Sequence, residues 1–161
     1  MKPLDKPALK TAFKRRSPAD YQIPDLGHVD WGVLDYFGWI HPAGHAGYVV
    51  MPIANELRGV VLKRMVQANG KPRTHMCSWC KHVYRSRGTA MFSTQVEGTD
   101  GRRFIGNYIC LNLDCSLRIR NLASDPPTYL PETINLEDKI HRLRISVSSF
   151  MARANVLSDL L

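Results

Sequence analysis

The sequence predicts an α+β fold on three observations. All four cysteines of the 161-residue chain fall into two close pairs, Cys77/Cys80 and Cys110/Cys115. Between the pairs, two runs rich in strand formers, Thr89 to Val96 and Arg102 to Ile109, flank Glu97-Gly98-Thr99-Asp100-Gly101, where Asp-Gly marks a hairpin turn. Further on, Leu136, Ile140, Leu143, Val147, Phe150, Ala154, Leu157 and Leu161 recur at alternating gaps of four and three, the stripe of one long amphipathic helix.

At this length one compact domain is the expectation, with burial of roughly 70% of the unfolded surface. Residues 1–20 read as a basic flexible arm ahead of a single domain over 21–161. Pro3, Pro7 and Pro18 lie there among six basic residues, with too few apolar side chains to bury. Tyr21, Trp31, Tyr36, Phe37 and Trp39 then cluster densely enough to form one side of a core. Asp30 is placed to cap a short helix from Trp31 to Tyr36, with Gly38 just beyond its end.

His41-Pro42-Ala43-Gly44-His45 holds two imidazoles four residues apart. Its proline and glycine forbid the helical face that would make such spacing useful to a metal, so it reads as a loop. Tyr48 to Ile53 and Leu57 to Met65 form the N-terminal β-hairpin across an Ala54-Asn55-Glu56 turn, with Val49, Val50, Val60 and Val61 as β-branched residues. Leu57 to Gln67 also fits a helical period; Gly59 favours the strand. Asn69-Gly70-Lys71-Pro72 is a turn.

The two-residue gap in Cys77-Ser78-Trp79-Cys80 lets both thiolates meet one ion from a tight turn. The four-residue gap of the second pair works if Cys110 ends a strand and Cys115 opens a helix over Asp114 to Leu122, whose N-terminal dipole favours thiolate. Asp125-Pro126-Pro127 stops that helix. Knuckle, hairpin and ligand-bearing helix over 76–122 are the parts of a treble-clef zinc finger. Four thiolates, Cys77, Cys80, Cys110 and Cys115, leave no open position, which describes one structural Zn2+. His75 and His82 flank the knuckle and are the weaker ligand choice with four cysteines at hand. Two disulfides would require an oxidising compartment; the N-terminus lacks an apolar export segment and no run has the length of a membrane span, so the chain reads as cytoplasmic.

The knuckle Cys77-Ser78-Trp79-Cys80, followed by Ile105-Gly106-Asn107-Tyr108-Ile109-Cys110 and Cys115-Ser116-Leu117, resembles the treble-clef domain of the elongation factor G-binding proteins, the FusB-type fusidic acid resistance family and its shorter relatives. The resemblance implies a protein of translation that binds elongation factor G and, in resistance members, helps it leave the drug-stalled ribosome. Those members carry a helical domain ahead of the finger, where this chain shows an arm, an aromatic cluster and a hairpin.

Asn135 is the N-cap of the last helix, over 135–158, with Glu137 and Asp138 in its first turn. Its stripe is expected to dock on the chain's own sheet, with Val156 to Leu161 open to another molecule; a monomer is favoured over a dimer.

The net charge of +8 is unevenly spread. Tyr21 to Glu56 holds four carboxylates and no lysine or arginine; Leu57 to Val96 holds Arg58, Lys63, Arg64, Lys71, Arg73, Lys81, Arg85 and Arg87 with no carboxylate. A basic face follows, suited to an acidic protein surface or to RNA phosphates. The chain lacks the H-x-E of a zinc deaminase, an H-E-x-x-H, a G-x-S-x-G elbow and a phosphate loop, which leaves a non-catalytic binding module. Trp79, Lys81 and Arg85 at the knuckle, and Arg102, Arg103 and Phe104 on the returning strand, are the expected partner contacts. Elongation factor G or the ribosome is the expected partner, with RNA as the alternative.

Overall fold

The computed structural model describes residues 1–13, 21–66, 73–124 and 127–157. Its elements are α1 (Lys6–Thr11), a 3-10 turn (Trp31–Val33), β1 (Phe37–Ile40), β2 (Ala46–Ile53), β3 (Glu56–Met65), β4 (His75–Met76), β5 (Val83–Tyr84), β6 (Thr89–Gln95), β7 (Phe104–Cys110), α2 (Cys115–Ile119) and α3 (Leu136–Arg153). Strands β1-β2-β3-β6-β7 form one antiparallel sheet in that order, and β4 pairs with β5 apart from it.

β2 explains how this sheet organises the molecule. Its side chains alternate between two apolar layers, Tyr48 and Val50 on one side, Val49 and Met51 on the other. A strand buried on both faces needs a continuous apolar run rather than a polar-apolar alternation, which is what Tyr48-Val49-Val50-Met51 supplies. The β2–β3 turn falls at Ala54 and Asn55, both at positive φ (48° and 65°), the geometry of a two-residue hairpin loop. The hairpin matches the sequence expectation. The finger hairpin β6–β7 is spliced onto it through β3, where Lys63, Arg64 and Met65 pair with Ser93, Phe92 and Met91.

One layer holds the four cysteines, Trp79, Tyr84, Phe92, Leu113 and the buried stripe of α3: Leu143, Val147, Phe150 and Met151. Asn135 caps α3 as expected, accepting from the Asp138 N–H at 2.9 Å. The stripe docks inward from Ile140 onward, fully buried from Leu143, while Leu136 is exposed. The helix ends at Arg153, with Val156 and Leu157 packed against the same layer; Leu161 lies outside the described residues. No helix among the described residues is long and apolar enough to cross a membrane.

The other layer corrects the expectation for the N-terminus. Residues 1–13 do not form an arm: Asp5 caps α1 by accepting from Ala8 N–H, and Leu9, Ala12 and Phe13 are buried with Tyr21, Phe37, Trp39 and Tyr48. The Phe13 ring stacks on Tyr21 at 4.6 Å and lies over Gly59, where a Cβ would come within 2.6 Å of the ring. Gly59 is thus a strand residue kept bare by what covers it. Lys14 to Asp20 and the expected turn at residues 69–72 lie outside the described residues.

The 28–40 region also differs from expectation. Asp30 does cap, accepting from Gly32 N–H at 3.1 Å, but the helix is a single 3-10 turn, and Phe37–Ile40 is a strand on the sheet edge. Gly38 is thus not a helix stop. Its actual constraint is Leu113, whose Cβ would lie 2.8 Å from a Cβ at position 38.

Candidate metal centre

Each ligand is delivered by a different local device. Cys77 follows β4, and the knuckle turns back through Lys81 at φ 63°, with Lys81 N–H donating to the Cys77 carbonyl (3.0 Å) and Cys77 N–H to the His82 carbonyl (2.9 Å). The Cys80 N–H points at the Cys77 Sγ, 3.4 Å away. Cys110 is the last residue of β7, and Cys115 the first of α2. Between them Leu113 sits at φ 58° and donates to the Cys110 carbonyl, the tight bend that fits a four-residue gap to a single ion.

The four Sγ atoms all lie within 4.8 Å of one another and all four residues are buried. Cys77 and Cys115 sulfurs are 3.7 Å apart, Cys80 and Cys110 sulfurs 3.4 Å, far beyond a disulfide. Tetrahedral thiolates at the usual zinc–sulfur length would be separated by about 3.8 Å. Burial pushes the Cys110 and Cys115 thiols well up. The same burial opposes ionisation of Cys77, yet hydrogen bonds from Cys110, Cys115 and Cys80 bring it below the ordinary thiol range. A sulfur cluster this deep needs a dication to hold four deprotonated thiolates, and these residues fit one structural zinc ion. When bound, zinc supplies cross-linking between knuckle, strand and helix; it has no free coordination position for chemistry.

Aromatic side chains complete the shell. The Tyr84 hydroxyl donates to Cys110 Sγ at 3.0 Å, and burial, then the Cys110 charge, holds its phenol far above the ordinary value, so the proton stays on the oxygen. The Tyr36 oxygen accepts from the Cys115 N–H at 3.4 Å. Gly88 has to be glycine, because a Cβ there would fall 1.8 Å from the Tyr84 ring. Arg118, buried and paired with Asp114 at 2.9 Å, stands 5.1 Å over the same ring, a cation facing the net negative charge of a tetrathiolate site.

Residues 9–154 match the family described as the FBP C-terminal treble-clef zinc-finger. The chain belongs to that family. The treble-clef family match extends well upstream of the cysteines, covering Leu9 and most of the N-terminal layer. Among solved structures the fold is similar to that of the fusidic acid resistance protein FusC, at TM-score 0.58 and 14% identity, covering 95% of this chain and 59% of that one. This chain thus spans about three-fifths of FusC's length. Among curated proteins none matches.

His75 and His82 take no part in the four-sulfur group: the His82 ring lies tilted against Tyr84, centroids 4.5 Å apart, and the His75 ring lies 6.1 Å from that of Tyr108. His41 and His45 sit on the β1–β2 turn with rings 4.5 Å apart, His41 Nδ1 accepting from Ala43 N–H. Of the expected partner contacts, Trp79 is corrected: it is 1% exposed, packed edge-on against Tyr36 and Phe150, and cannot present itself to another molecule. Arg102, Arg103 and Phe104 are exposed at the hairpin tip, and Arg85 is exposed with its guanidinium over Tyr129. Lys81 is half-buried, its Nζ donating to the Ser78 carbonyl. β7 separates the tip from the knuckle by six residues, roughly 20 Å of strand, so these residues form two sites and not one.

The expected basic face is likewise broken up. Arg58 is buried and paired with Glu56 at 2.6 Å, and Arg64 turns inward to the carbonyls of Leu111 and Gly44. Sequence reading missed Asp35, whose carboxylate is 1% exposed and receives Arg120 at 2.6 Å and Arg144 at 3.0 Å. This triad ties the segment before β1 to both helices of the zinc layer. Its sequence signal was an acid inside an aromatic cluster, Leu34-Asp35-Tyr36-Phe37, a position that demands a cation.

Proposed function

We propose that this chain is a non-catalytic docking protein of translation, acting in the cytoplasm as a monomer, that binds elongation factor G, free or on the ribosome. The observation that carries the reading is the hairpin tip: Phe104, 65% exposed, beside the exposed Arg102 and Arg103. An aromatic flanked by two guanidinium groups suits an acidic surface with an apolar pocket. The finger's resemblance to elongation factor G-binding proteins and the fold shared with FusC support this choice of partner.

The tip is held at both ends. Zinc would clamp the hairpin's base, while the Glu97 N–H donates to the Ala154 carbonyl (3.0 Å) and Asn155 Nδ2 donates to the Glu97 carbonyl (3.1 Å). A rigid platform loses little entropy on binding, and it changes the factor's conformational populations through differential affinity alone. Purified elongation factor G retained by the immobilised zinc-loaded chain, with retention weakened about tenfold or more by Arg102→Ala with Phe104→Ala, is the expected result. No retention, or no effect of the double substitution, overturns the reading. RNA binding is an outcome of a parallel titration, recognised by affinity that falls steeply with salt.

A further inference from the structure

The two edges of the main sheet differ. β7 lies under the knuckle, where the Ser78 N–H donates to the Tyr108 carbonyl at 2.8 Å. β1, at the other edge, has no such cover among the described residues. The His41 N–H donates to the Ala46 carbonyl, and the register pairs Trp39 with Tyr48 and Phe37 with Val50. By the alternation of an antiparallel ladder, Phe37, Trp39 and His41 turn their backbone groups toward β2, while Gly38 and Ile40 turn theirs outward. No backbone partner meets those outward groups among the described residues. Among the devices that guard edge strands against strand addition, β1 has only its short length of four residues; Phe37-Gly38-Trp39-Ile40 carries no charge, proline or bulge.

Beside this edge opens a cleft of about 320 Å³ between the 28–38 segment and the zinc-bearing loop, with Val29, Leu34, Leu113 and Leu117 as its apolar lining. That volume accepts a large aliphatic or aromatic side chain. The acids on its wall are Asp30, which also accepts from Gly32 N–H, and Asp114, which is neutralised by Arg118. His28 lines it too, 3.7 Å from the exposed Asp25. Of the four carboxylates from Tyr21 to Glu56, Asp35 and Glu56 are paired with arginines, which leaves Asp25 and Asp30 exposed near the cleft, and no lysine or arginine lines it.

We infer that β1 is a docking edge for an extended, basic segment of another polypeptide. The segment adds one strand through the outward N–H and carbonyl groups of Gly38 and Ile40, places an apolar side chain in the cleft, and sets a lysine or arginine near Asp30. This surface is distinct from the hairpin tip, and it stands or falls without the identity of the partner proposed there.

The probe is the end-capped peptide Lys-Leu-Lys-Val-Lys-Leu, titrated into the zinc-loaded full chain while backbone amide resonances are followed. Saturable movement of the Gly38 and Ile40 amides is expected, with binding weakened about tenfold or more when alternate peptide amides are N-methylated. Glu-Leu-Glu-Val-Glu-Leu should bind more weakly than the lysine peptide. Ile40→Pro removes one outward N–H at an edge position where proline is tolerated, and Asp30→Asn keeps the cap while removing the charge. Each should weaken the lysine peptide severalfold with zinc stoichiometry unchanged. Should Ile40→Pro disturb the fold, the N-methylated peptide reads the same hydrogen bonds on the unaltered protein. Absent binding, equal binding of the N-methylated or acidic peptide, or resonance changes away from β1 would each overturn the inference.

Discussion

The Tyr84 hydroxyl stands 3.0 Å from the Cys110 sulfur, donating its proton to the ligand that ends β7. A hydrogen bond onto a metal-bound thiolate disperses its charge and fixes its direction, and such outer partners typically govern 10–100-fold in metal affinity. Tyr84→Phe keeps the ring packed against Gly88 and removes only this donor. Zinc should be lost to a competing chelator at roughly 10–100-fold lower chelator concentration, with far-UV circular dichroism of the zinc-loaded protein unchanged.

Removing a ligand should act on the fold itself. Cys110→Ser or Cys77→Ser leaves three thiolates in a closed site, and a structural zinc contributes on the order of 10–16 kcal/mol of apparent binding energy that appears as folding energy. Elemental analysis should find the unaltered protein with one zinc per chain and the variants with far less. Chelation of the unaltered protein should lower its thermal midpoint.

Asp35 separates a buried charge from an exposed one within a single triad. Arg120 is 13% exposed and Arg144 57% exposed. Asp35→Ala strands the Arg120 guanidinium and should cost about 3–5 kcal/mol in urea unfolding. Arg144→Ala removes a solvated partner and should cost under about 1 kcal/mol. Equal effects would mean that burial does not decide the energetics of this joint.

Glu132 meets Arg142 at 2.6 Å, and that hydrogen bond holds the Glu132 carboxyl below its ordinary value of 4.5. As pH falls below about 4.5 the unfolded chain takes up this proton first, so the stability the pair contributes is present above that pH and lost as pH drops through the lower folded value. The difference in stability between the unaltered protein and Glu132→Gln should therefore shrink on acidification through that window. Comparing the two chains at each pH cancels the common effect of zinc release.

The N-terminal layer is tested by Gly59→Ala. The new methyl would enter the Phe13 ring's space, an overpacking that costs about 1–3 kcal/mol where the neighbour cannot yield. Faster proteolysis near residues 1–13, with zinc content unchanged, is the expected signature.

The metal centre was legible because its information is local: two cysteine spacings, an Asp-Gly turn and an Asn cap each dictate their own surroundings. β2 and β3 were legible from β-branched density, although residues 57–67 also fit a helical period that only Gly59 argues against. What escaped was decided at long range. Phe37–Ile40 became a strand because β2 pairs with it, and Gly38 records the approach of Leu113 from the zinc loop. Trp79 sits between two ligands, where an exposed knuckle residue is expected, but Tyr36 and Phe150 enclose it from opposite ends of the chain. The first helix had its own signal in Asp5, Pro7 and the apolar set Leu9, Ala12 and Phe13, hidden by the surrounding lysines.

The pairing of β6 with β3 makes the finger a borrower. A fragment cut to the cysteine region would keep all four ligands yet lose the strand that completes its hairpin on one side, together with α3 on the other. Such an excised piece would be a poor cassette for transplantation into an unrelated scaffold. Whoever wishes to graft this metal site must carry the preceding hairpin and the last helix along with it, as one inheritable unit.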